Sequence, residues 1–184
     1  MIELIPVTNK NQLKQFVTFP FKLYKDCEYW VPPLIKDEME TLDKEKNPVF
    51  NNAEAEYFLA YKEGRISGRI AVIINHLEIE EQQKKKVRFG WFDVIDDISV
   101  TKALLEKVQE IGNQHQLEYM EGPVGFSNME KAGILTMGYE ERNTMITWYH
   151  YPYYQEHFKQ LGFKKQATWV EYKMNVPEVL NEKV

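Results

Sequence analysis

The chain has 184 residues, 43% of them hydrophobic and 28% charged, with a formal charge of −5 at neutral pH. That length supports one core without disulfide or metal staples. The composition excludes disorder as the default, and the acidic balance argues against a nucleic-acid partner. The lone Cys27 cannot form an internal disulfide and points to a reducing, cytoplasmic setting. No apolar run nears the roughly 20 residues of a membrane span, and the opening residues lack a basic leader.

Ile2 to Val7 alternates as a first strand. Thr8 or Asn9 caps a helix from about Lys10 that turns Leu13, Phe16 and Val17 inward. Pro20 predicts its end or a kink, with a second turn over 21–24. Trp30-Val31-Pro32-Pro33 reads as extended, because a residue before proline is pushed out of the helical region. A second helix is predicted over about 34–44, closed by Asn47-Pro48.

The clearest unit is a hairpin: 57–61 and 66–74 flank the turn dipeptide Glu63-Gly64. Gly68 inside its second strand marks a bulge or a close backbone approach. The charged stretch 78–86 reads as a connector, and 87–94 as the next strand. Ser99 is the predicted cap of a long helix to about Gln114, with Val100, Leu104, Val108 and Ile111 on its buried stripe. A strand over 117–122 follows.

Residues 123–147 are broken by Pro123, Gly125, Gly133 and Gly138. An irregular stretch this long counts as a site or against the assignment. Thr144 to Trp148 reads as a short strand. Tyr154, Phe158 and Leu161 share one stripe of a late helix that Gly162 stops. The aromatic stretch 167–174 then reads as a strand, and 175–184 as a polar tail behind a single domain of 1–174.

A late helix ending in Leu161-Gly162-Phe163 before a strand, after this element order, resembles the GCN5-related N-acetyltransferases (GNAT). Tyr29-Trp30-Val31-Pro32-Pro33, Arg88-Phe89-Gly90-Trp91, Glu121-Gly122-Pro123 and Tyr151-Pro152-Tyr153-Tyr154 resemble the amino-terminal half of longer bacterial proteins of that superfamily. The resemblance implies an α/β (α+β) fold: a mixed, mostly antiparallel sheet flanked by helices. Its last strand is missing or comes from elsewhere, either a second domain or a second copy in a homodimer.

The resemblance also implies acyl transfer from acetyl-CoA or another acyl-CoA to a small-molecule or peptide amine. Its phosphate loop falls on Asp96-Asp97-Ile98-Ser99-Val100-Thr101, where hydroxyl residues replace both glycines and Asp96 replaces a Gln or Arg. Asp96, Asp97 and Ser99 then either cap the helix, or Ser99, Val100 and Thr101 form an altered phosphate contact. The family's proton-donating tyrosine falls on Phe158, leaving Tyr154 one turn earlier as substitute acid or as core. Glu121, at a strand end, is the candidate base or an exposed carboxylate. The dense run 148–154 makes Tyr149, Tyr151 and Tyr153 a candidate acceptor pocket or partner surface. The four histidines lack a zinc pattern, so no metal is expected. Two readings stay open: an N-acyltransferase-like domain, or a non-catalytic binding domain with a degraded CoA site.

Overall fold

A computed structural model describes residues 1–144 and 146–175. Its sheet has five strands in chain order: β1 (Ile2–Pro6), β2 (Ala53–Lys62), β3 (Arg65–Asn75), β4 (Lys86–Val94) and β5 (Tyr119–Glu121). The first four run antiparallel, and β5 joins β4 in parallel. Helices α1 (Lys10–Leu23) and α2 (Ile35–Thr41) cover one face; α4 (Ile98–Gln114) and α5 (Tyr153–Gln160) cover the other. The short α3 (His76–Glu80) links β3 to β4. This is an α+β fold of mixed sheet and flanking helices. Among the described residues no helix is long and apolar enough to cross a membrane.

Two cores follow from strand alternation. Phe58, Ile70, Val72, Phe89, Phe92 and Val94 pack under Val100, Leu104 and Val108 of α4 and Phe158 of α5. On the opposite face Leu59, Ala71, Ile73 and Trp91 meet Phe16 and Val17 of α1. A bulge reconciles the two patterns within β4. Arg69 opposes Asp93 and Ala71 opposes Gly90, so Trp91 and Phe92 share the space opposite Ile70. Trp91 takes φ 44 to do it, a conformation a bulky residue adopts only under tertiary constraint. The extra residue puts both Trp91 and Asp93 on the α1 side.

Several expectations change. Pro20 does not end α1: its ring lacks the N–H that would reach the Phe16 carbonyl, and the Arg69 guanidinium donates there instead at 2.9 Å. The cap of α4 is Asp97, not Ser99, because Asp97 is extended and its carboxylate accepts the Ser99 N–H. The 78–86 connector is helical at its start, where it shares residues 78–80 with α3, and Glu78 there is buried by ion pairing. No strand forms over 144–148 among the described residues, nor over 167–174, which lies exposed beside the 141–144 loop. Beyond Asn175 the expected tail lies outside the described residues, as does Met145.

Candidate functional site

β4 and β5 pair over only three residues each, Lys86 to Arg88 against Tyr119 to Glu121. Val124 N–H still reaches the Phe89 carbonyl at 2.8 Å, and then the strands part. Gly90 sits at the parting, where a β-carbon would lie 2.4 Å from the Val124 carbonyl oxygen. The start of α5 fills the wedge beyond it. The Tyr154 hydroxyl accepts the Val94 N–H at 2.8 Å, and Tyr153 donates to the Val94 carbonyl at 2.6 Å. Tyr154 also stands 3.2 Å from the Tyr24 hydroxyl, which donates to Asp93 at 3.1 Å. Arg69 Nε closes the chain on the other Asp93 oxygen at 2.7 Å.

All of this network except Tyr153 is buried. Burial, with the Asp93 charge nearby, pushes the Tyr24 and Tyr154 phenols well above their ordinary value. His150 packs on Tyr154 with ring centroids 4.6 Å apart, and burial pulls its imidazole down to about 4. It is therefore neutral at physiological pH.

An aromatic row runs outward from the wedge. Tyr24 stacks on Trp30 at 5.3 Å and meets Tyr151 at 5.2 Å; Tyr151 meets Tyr153 at 5.8 Å. Tyr151 and Tyr153 are half-buried. Tyr149 is buried and donates to the Tyr139 carbonyl at 3.2 Å. Tyr154, the candidate acid, is fully enclosed, with its hydroxyl shared between Val94 and Tyr24.

The start of α4 is closed on itself. The Asp97 carboxylate accepts Ser99 N–H at 3.0 Å, and the Asp97 carbonyl accepts Val100 and Thr101 N–H at 3.0 and 3.3 Å. Lys62 binds the other carboxylate oxygen, and with Ser99 it lowers the Asp97 carboxyl to about 2. Val100 and Thr101 are buried, and Thr101 Oγ1 lies 2.9 Å from His157 Nδ1. His157 Nε2 in turn lies 3.4 Å from Asp96. A pyrophosphate needs free amides and no competing carboxylate at such a helix start. The Ser99, Val100 and Thr101 amides all have acceptors on Asp97, so a phosphate contact at these residues would have to displace those bonds.

Glu121 lies apart from these groups. It is level with Arg88, six residues along β4 from Val94, or roughly 20 Å of strand. Its carboxylate binds Lys86, which also pairs with Glu78 at 3.0 Å. Glu78 holds Arg88 at 2.6 and 2.5 Å, and Arg88 reaches Asn128 at 2.7 Å and the Gly125 carbonyl at 3.2 Å. This network pins the irregular segment to β4. The structure therefore does not bring the expected base and acid together.

Asp93, Arg69, Tyr24 and His150 were not foreseen as one network. The readable signal was Arg69, a charge directly before the apolar run Ile70 to Ile74 of β3. Among the described residues no group of three or more His, Cys, Asp or Glu side chains could hold a metal.

The fold is that of the GNAT acetyltransferases. A predicted acetyltransferase from Clostridium acetobutylicum, solved with acetyl-CoA, matches 94% of this chain and 96% of its own at 10% identity, TM-score 0.56. The structure of AAC(6')-Iy with a bisubstrate analogue, CoA-S-monomethyl-acetylneamine, matches 96% and 99% at 16% identity, TM-score 0.55. By sequence the chain is 33% identical over 167 residues to Protein YghO of Escherichia coli (strain K12), covering 89% of this chain and 43% of that protein. It is 26% identical over 188 aligned positions to the bacterial ceramide synthase of Caulobacter vibrioides, covering 100% and 49%. The chain thus spans about half the length of these curated relatives. No protein-family model matches it.

Proposed function

We propose that the chain is a GNAT-fold domain of an N-acyltransferase, which moves an acyl group from a thioester to an amine at the wedge between β4 and β5. The observation that carries this reading is the parting of those strands at Gly90, with both main-chain groups of Val94 turned into the gap. There they meet only tyrosine hydroxyls. An extended, amide-bearing ligand can use such groups as an added strand does once it displaces the Tyr153 and Tyr154 hydroxyls that now hold them. Solved neighbours carry acetyl-CoA or a CoA–amine conjugate, which supports a CoA thioester as donor. The ceramide synthase relative supports an amine with a long apolar chain, and the row Trp30, Tyr24, Tyr151, Tyr153 offers such an amine a wall. Because the start of α4 is closed, this reading requires the donor's phosphates to displace its bonds or to be held elsewhere.

The closed helix start and the Lys86-bound Glu121 favour a second reading, a non-catalytic domain that binds a ligand or partner. Mass spectrometry separates the two. The chain is incubated with acetyl-CoA or palmitoyl-CoA and a long-chain primary amine. Amide product above the protein-free control supports transfer. Its absence with every donor, beside calorimetric binding of the amine alone, supports the second reading and removes the first.

A further inference from the structure

Residues 168–175 are rich in β-formers but join no strand among the described residues. In an extended chain their side chains would alternate: Val170, Tyr172 and Met174 on one side, Trp169, Glu171 and Lys173 on the other. The first three are 57%, 84% and 85% exposed. Two surface contacts hold the segment to the neighbouring loop. Thr144 Oγ1 donates to Glu171 at 2.8 Å, and Lys173 lies 3.5 Å from Glu141. Exposed pairs of this kind hold weakly. Three large apolar side chains with period-two spacing, on backbone without a ladder, suit an added strand.

The spacing of the charges says which strand. When the segment is laid antiparallel on a copy of itself with the two-fold axis at Tyr172, Glu171 opposes Lys173 of the second copy, and Lys173 opposes its Glu171. Val170 then opposes Met174, and Tyr172 meets its equivalent. Moving the axis to Glu171 or Lys173 sets a like charge against itself, which is unfavourable across a strand pair. Axes between residues set the apolar side of one strand against the charged side of the other. One register therefore satisfies both the charges and the apolar side, and it is symmetric.

We infer that residues 169–175 pair antiparallel with the same residues of a second copy, forming a two-fold interface centred on Tyr172. Self-complementarity identifies the occupant, because a strand from a different protein has no need of a charge pattern that matches its own reverse. The interface is isologous and closed, so it stops at a dimer.

Light scattering after size exclusion tests this on the chain and three variants. The unaltered chain is expected to dimerise as its concentration rises. Glu171→Lys and Lys173→Glu each put like charges opposite and should weaken the dimer by roughly tenfold or more. The double variant Glu171→Lys/Lys173→Glu restores both cross pairs and should recover the dimer, although it loses the contact to Thr144. Circular dichroism on each variant confirms an unchanged fold. A chain that stays monomeric at every concentration overturns the inference, as it would if other protein covers this surface. A dimer indifferent to the single reversals, or not recovered by the double, overturns it too. None of these outcomes depends on acyl transfer.

Discussion

Arg69 supplies the hydrogen bond that Pro20 withholds. The proline leaves the Phe16 carbonyl without its helical N–H, and the guanidinium that fills the place also holds Asp93. A helix irregularity is thereby tied to the network beside the wedge. Replacing Arg69 with Met leaves the buried Asp93 carboxylate with only the Tyr24 hydroxyl and no counter-ion, and the Phe16 carbonyl without a donor, so the expected loss is about 3–5 kcal/mol. Urea unfolding measures it; a loss below about 1 kcal/mol would show that Asp93 finds another partner.

Tyr154→Phe removes the acceptor of the Val94 N–H without changing the ring packing. The orphaned amide should cost about 1–3 kcal/mol, and hydrogen exchange at Val94 should quicken. Tyr153→Phe should cost less, because that side chain is half-buried and the carbonyl keeps Tyr154 3.2 Å away. Equal stability of Tyr154→Phe and the parent chain would contradict this.

His150 sets a pH dependence. Its folded-state value, lowered by burial from 6.5 to about 4, means that the unfolded chain binds the proton more readily between those values. The stability from His150 is complete above about pH 6.5 and falls with acidification until the folded-state value is reached. The loss across that window is of the order of 3 kcal/mol. His150→Gln should flatten the stability profile between about pH 4 and 6.5; an unchanged slope would assign the acid sensitivity elsewhere.

Glu78 adds a second acid limit. Burial pushes its carboxyl up, but the Arg88 and Lys86 bonds outweigh burial and hold it below its ordinary value. Its contribution is therefore present above the ordinary carboxylate range and lost as pH falls through the lower folded-state value. Arg88→Ala also releases Gly125 and Asn128, so trypsin should cut at Lys131 faster than in the parent chain. Unchanged cleavage would mean that other contacts hold the segment.

Asp97→Ala removes a helix cap and should cost about 0.5–2 kcal/mol. Asp97→Asn keeps the cap while weakening the Lys62 contact, and should lie between Ala and the parent in thermal unfolding.

The hairpin about Glu63-Gly64 and the long helix were legible because their apolar spacing is regular and their boundaries carry turn or cap residues. The wedge was not, because its key displacement is the bulge. Strict alternation places residues 87, 89, 91 and 93 on one face, whereas the structure sends Trp91 and Asp93 to the other. Glu78 and Lys86 were read as the ends of a charged connector; mutual pairing buries them. Residues 167–174 have strand composition, but a strand exists only where a partner strand lies beside it. Glu121 was placed correctly at a strand end, and nothing in its local sequence names Lys86 as its counter-ion.

The bulge at Trp91 has a consequence for descent. A mutation that swaps one side chain of β4 for another changes a single contact, whereas a change of length decides which faces its neighbours occupy. Losing one codon from Gly90 to Phe92 removes the extra residue, and plain alternation then keeps Asp93 on the Arg69 side and Val94 beneath α4. Losing one from Val87 to Phe89 has no spare residue to absorb it and turns apolar side chains out of the layer beneath α4. Libraries of single-codon deletions should therefore find Gly90 to Phe92 more tolerant than Val87 to Phe89.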